Sequence, residues 1–91
     1  MRGVVRFFGG GLGRLTPPQS GYRPQAAVGD ILTSCLIEGD EGQVFTFDTD
    51  HPVCFRLILQ DLHGLSLAPG TTTGLYEGSR KVGQLTVLAE A

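Results

Sequence analysis

The chain has 91 residues, enough for one domain, and 41% of them are hydrophobic with no Trp. Its formal net charge is −2 and its pI about 5.5, which argues against a strongly basic, non-specific nucleic-acid binder. No stretch approaches the ~20 apolar residues of a membrane-spanning helix, and the apolar patch in 1–13 is too short for a signal peptide.

In chain order, Gly3 to Phe8 reads as a first strand, because valines and phenylalanines suit a pleated, half-buried surface. A loop follows from Gly9 to Gly21, rich in glycine and carrying Pro17-Pro18, which cannot sit inside a paired strand or a helix. Tyr22 to Ile37 is strand-like, with a bulge or bend expected at Gly29-Asp30. Alternation puts Ile31, Thr33 and Cys35 on one face and Leu32, Ser34 and Leu36 on the other. Glu38 to Gly42 is an acidic turn, and Gln43 to Phe47 a short strand. Asp48 to Pro52 is expected as a turn, since Asp initiates turns and the residue before Pro avoids the helical region. Val53 to Gln60 alternates most clearly, with Phe55, Leu57 and Leu59 inward. A turn at His63-Gly64 leads into a short run, Leu65 to Leu67. Thr71 to Tyr76 and Lys81 to Leu88 form a last hairpin around Glu77-Gly78-Ser79. About six short strands with frequent turns and no amphipathic helix predict an all-β barrel or sandwich.

Charge is uneven. Residues 1–29 hold Arg2, Arg6, Arg14 and Arg23 and no acid, whereas 30–61 hold seven acids against Arg56 alone. Either the first third is a basic partner-facing surface, or the two regions neutralise each other in the fold.

No chemical constellation is complete. The glycine run at 9–13 lacks the Lys-Ser/Thr pair and the following helix of a phosphate loop. Asp61-Leu62-His63-Gly64 fits a GTPase D-x-x-G pattern, but reads as a turn without that loop. His51, Cys54, His63 and Cys35 lack the paired spacing of strong zinc sites. Both cysteines sit in apolar strands and are expected to be free, packed as small hydrophobes in a cytoplasmic protein. The expectation is a protein without enzymatic activity, metal or cofactor.

Two blocks carry a resemblance. Gly13-Arg14-Leu15-Thr16-Pro17 followed by Ser20-Gly21-Tyr22-Arg23-Pro24-Gln25 resembles the opening of the third, C-terminal domain of elongation factor Tu. Leu75-Tyr76-Glu77-Gly78-Ser79-Arg80-Lys81-Val82-Gly83, with Thr86-Val87-Leu88, is similar to that domain's last hairpin. The likeness runs from Arg2 to Glu90. It implies a closed, six-stranded antiparallel β-barrel spanning residues 1–91. In that family the domain helps hold the T-stem of aminoacyl-tRNA and contacts the GTPase domain and the nucleotide exchange factor. Carried over position by position, it implies partner-binding roles for Arg14, Thr16, Tyr22, Arg23, Gln25, Glu77, Gly78 and Arg80. Each also has a scaffold reading: Tyr22 can fix the strand entry, and Glu77 can pair with Arg80 across its turn. The chain departs from the family at Ala26-Ala27-Val28, Asp48-Thr49-Asp50, Ser79, Lys81 and Leu85, and it has neither length nor helices for a GTPase domain.

The reading is therefore a non-catalytic, translation-related binding module for RNA or protein: tRNA, an exchange factor or a regulator, with no membrane partner. A second reading is a mimic, decoy or immunity-type protein that captures a toxin or regulator directed at elongation factor Tu, its acidic middle steering a basic partner. A homo-oligomer through an exposed strand edge is a further expectation for so small a β domain.

Overall fold

The computed structural model describes residues 1–9, 14–58 and 67–88. Residues 10–13, the D-x-x-G segment 61–64, and the expected inward Leu59 lie outside them. Six strands form: β1 (Arg2–Phe7), β2 (Gln25–Val28), β3 (Ile31–Glu38), β4 (His51–Leu57), β5 (Thr72–Glu77) and β6 (Arg80–Val87). They close into a barrel in the order β1-β4-β3-β2-β5-β6, every pair antiparallel. The expected closed, six-stranded antiparallel architecture is therefore present. Each strand has two neighbours, so no described strand offers a free edge for dimerisation.

Closure follows from the alternation of side chains. Val5 and Phe7, Ala26 and Val28, Cys35 and Ile37, Phe55 and Leu57, Leu75, and Leu85 and Val87 all point inward and are buried. Phe45 adds a ring from the connection between β3 and β4, and Leu67 a side chain from the connection before β5. Among the described residues Thr33 is the one buried polar residue, and its hydroxyl has no hydrogen-bond partner.

Four details differ from the sequence reading. Gly29-Asp30, expected as a bulge or bend within one strand-like stretch, is a two-residue hairpin turn that divides it into β2 and β3: Val28 pairs with Ile31, and Gly29 has φ 59°. Gln43 to Phe47 does not become a strand. Its neighbour is Pro18-Gln19, a segment short of donors, so pairing stops at one Gln19–Val44 bridge and a bond from the Phe45 N–H to the Pro18 carbonyl at 2.8 Å. The turn at Asp48 ends earlier than expected, and His51-Pro52 already belong to β4. Pro52 is tolerated because the ladder between β3 and β4 has ended at Cys54. Finally, only Cys35 packs in the core. Cys54 is exposed on the outer wall, one residue out of phase with Val53 and Phe55; both thiols are free. Burial pushes the Cys35 thiol up to about 12.

β5 and β6 pair from Glu77↔Arg80 down to Thr72↔Thr86, with one irregularity. Leu75 faces Gly83 while Tyr76 faces Lys81, so Val82 is an extra residue opposite that step, a β-bulge. The bulge lets Val82 enter the core and keeps Lys81 outside.

Candidate binding face at the barrel mouth

Because neighbouring strands are antiparallel, β1, β3 and β5 finish at the same end of the barrel where β2, β4 and β6 begin. All eight candidate residues gather at this end. Arg14 and Thr16 lie on the connection after β1, Tyr22 and Arg23 just before β2, Gln25 at its first position, and Glu77, Gly78 and Arg80 at the β5–β6 turn. Two blocks some fifty positions apart in sequence are thus brought to one rim.

The rim is closed from within by aromatic rings. Phe7 packs edge-on against Tyr22 at 5.6 Å between centroids, and against Phe45 at 5.8 Å. The approach to β2 is held to β3 by bonds from the Gly21 N–H to the Ile37 carbonyl and from the Ile37 N–H to the Tyr22 carbonyl, each 2.9 Å. Tyr22 therefore has a fixed place, half inside the barrel and half on its rim.

Arg14 lies over that ring, its guanidinium carbon 4.8 Å from the centroid. The same group reaches Glu77 at 3.5 Å, and its Nε donates to the Thr16 carbonyl at 3.0 Å. A partly exposed cation–π contact contributes about 0.5–1 kcal/mol, and an exposed ion pair less than ~1 kcal/mol. Together they tie the loop after β1 to the last hairpin. Arg14 is the centre of this arrangement, and Thr16 joins it through its backbone.

The Tyr22 hydroxyl is buried without a hydrogen bond of good geometry. Burial raises its pKa from 10.0 to about 12; nearby Arg14 opposes the shift and Glu77 adds to it. The phenol is thus neutral at any ordinary pH, and it can donate.

The remaining candidates are arranged differently. Arg23 and Gly78 are exposed. Gln25 pairs with Tyr76 on one side and Ser34 on the other, its side chain half-exposed on the outer wall. Glu77 and Arg80 are cross-strand partners around Gly78-Ser79, but the Glu77 carboxylate also turns to Arg14. Gly78 has φ 61°, and only its position in the turn is left-handed, the residue pattern of a type II′ hairpin.

The uneven charge is partly resolved within the fold. Arg6 meets Asp50 at 2.8 Å. Arg2 shares a groove of about 310 Å³ on the outer wall with Glu38, Asp40 and Cys54. Arg14 instead turns to Glu77 in the last hairpin, and Arg23 is exposed. The basic third is therefore split between internal neutralisation and the rim.

Two side chains missing from the sequence candidates stand at the same corner, Tyr76 and Lys81. They are cross-strand partners beside Gln25. The signal that could have found them is the glycine two places before Tyr76, which leaves the strand bare under its ring. Among the described residues no group of three or more His, Cys, Asp or Glu side chains is placed to hold a metal ion, and no helix is long and apolar enough to cross a membrane. No protein-family model matches this chain, and no curated protein matches it.

Proposed function

We propose that this barrel is a non-catalytic binding module, resembling the third domain of elongation factor Tu, that engages a translation-related RNA or protein through its mouth. The observation that carries the reading is the Arg14–Tyr22–Glu77 cluster. It joins the two sequence blocks on which the resemblance rests, and it leaves Arg23, Gly78 and Arg80 exposed around it. Arginines and an exposed glycine backbone suit phosphate and ribose contacts or a carboxylate-bearing protein loop. Binding of the protein to aminoacyl-tRNA and to a nucleotide exchange factor, followed by titration, tests it. Arg23→Ala and Glu77→Ala should each weaken at least one of these complexes. No affinity for either partner, with both variants silent, would sink the proposal.

A second reading is favoured by the end of β3 and its connection to β4, where Glu38, Asp40, Glu41, Asp48 and Asp50 are all exposed. On this reading the barrel is a decoy or immunity-type protein whose acidic flank draws in a basic toxin or regulator. Its association rate would fall steeply with salt and with Asp40→Asn/Glu41→Gln, and would be indifferent to Arg23→Ala.

A further inference from the structure

The outer wall formed by β2, β5 and β6 is poor in acidic residues, as are β1 and β4. Apart from Glu77, which Arg14 engages, these three strands carry no acidic residue, while β6 opens with Arg80-Lys81. None of the exposed large hydrophobic residues, Leu15, Ile31, Leu32, Val44 and Leu88, lies on these strands. The wall also carries the Thr72 and Thr86 hydroxyls, bonded at 2.9 Å, with Gln84 two residues before Thr86 and Gln25 opposite Tyr76.

One aromatic ring lies on this wall. Tyr76 leans back along β5 so that its Cε1 and Oη cross the space a Cβ would fill at Gly74, 2.8 and 2.9 Å from that point. Lys81 Cε converges on the same spot at 3.1 Å. A side chain at position 74 would lift the ring off the strand. Its absence lets the ring lie down along the backbone, while Tyr76 stays only partly buried. The bulge at Val82 sets Lys81 directly opposite Tyr76, and Gln25 flanks the ring on the other side. Arg23, two residues before Gln25 on the way from the rim, is exposed.

We propose that Tyr76 is a stacking platform for an unpaired base of single-stranded RNA, with Lys81 and Arg23 taking the flanking phosphates. The inference rests on the RNA arm of the function proposed above. A flat ring held by its strand, cations beside it and no acid on the wall other than the Arg14-engaged Glu77 are the elements of a single-strand binding surface. A protein partner would instead favour a desolvated apolar centre, which this wall lacks. The Gln25 amide, adjacent to the ring, can both donate to and accept from a base edge.

The test is titration of the protein with a labelled single-stranded uridine oligonucleotide of about 12 nucleotides, a length suited to such surfaces. Tyr76→Leu keeps an apolar cover over Gly74 but has no π-face, and should weaken binding by about 5- to 100-fold. Tyr76→Phe should bind within about twofold of the parent protein, because the ring is kept. Lys81→Gln should make the negative slope of log affinity against log salt shallower by about 0.7. The chain has only two tyrosines. With tyrosine rings selectively labelled, stacking should move the Tyr76 resonance upfield and leave that of Tyr22 in place. Equal binding by Tyr76→Leu and the parent, or an unmoved Tyr76 ring at saturation, overturns the platform. If folded tRNA still binds in an Arg23-dependent way, the proposed function survives that failure. If no RNA binds but an exchange factor does, the RNA platform falls and the protein arm stands.

Discussion

The two hairpins of this barrel use the same turn chemistry and end in different company. Both β2–β3 and β5–β6 are joined by two residues, with glycine first at φ 59° and 61° respectively. In both glycines a Cβ would meet nothing within 4 Å, so only backbone conformation demands glycine there. The Gly29-Asp30 turn projects from the end opposite the mouth, followed by the half-exposed Ile31 and Leu32. The Gly78-Ser79 turn is tied to a distant loop through Glu77, Arg14 and Tyr22. Local sequence is sufficient to make a hairpin. The proposed site lies only where the fold brings a second segment beside the hairpin.

The comparison extends to two orphan hydroxyls. Thr33, on the first hairpin, is buried in the apolar core; Tyr22, beside the second, is buried next to a cation and a carboxylate. The first burdens the fold with an unsatisfied donor. The second sits at the proposed binding face.

The largest expected effect removes the contact that joins the hairpins. Leu75 is fully buried and pairs with Ala26, so Leu75→Ala should cost about 2–5 kcal/mol in denaturant unfolding. It should damage both hairpins together, visible as loss of amide protection in each; loss in one alone would show that they fold independently.

Gly29→Val and Gly78→Val come next, each costing about 1–2 kcal/mol because a β-branched residue is forced into the left-handed region. The two should be alike in stability. Only Gly78→Val should weaken RNA or exchange-factor binding, and equal loss of binding by both would end the distinction between the turns.

The titration of Tyr22 gives a finer test. Its folded pKa, about 12, lies above the unfolded value of 10.0. The neutral phenol therefore contributes stability that is fully present below pH 10 and lost as pH rises towards 12. Cys35 acts in the same direction, from 9.0 up to about 12, and the Tyr22→Phe variant separates the two contributions. Glu77→Gln should lower the phenolate midpoint and Arg14→Gln raise it, followed by absorbance. No movement in either variant would mean that the rim cluster does not form in solution.

The smallest effect concerns Thr33. Thr33→Val replaces an unpartnered buried hydroxyl with a methyl of similar shape and should stabilise the protein by about 1 kcal/mol, with binding unchanged.

Much of the barrel was legible in the residues themselves. The alternation of Phe55 and Leu57, or of Thr33 and Cys35, is a period of two that admits only one buried face. Gly29 and Gly78 mark turns because few other residues enter the left-handed region cheaply. The failures also have causes. Gln43 to Phe47 has strand-like residues but meets Pro18-Gln19, which cannot continue a ladder. Cys54 looked apolar by type, but its phase on β4 puts it outside.

The sequence by itself determined the strands, most of their turns and the two rim segments, because these depend on side-chain period and local backbone preference. Only the tertiary structure decided that the barrel closes in the order β1-β4-β3-β2-β5-β6. That closure puts Arg14 between Tyr22 and Glu77, and the bulge at Val82 sets Lys81 opposite Tyr76. Such contacts depend on register and shear summed around the whole sheet, a quantity that no single segment encodes.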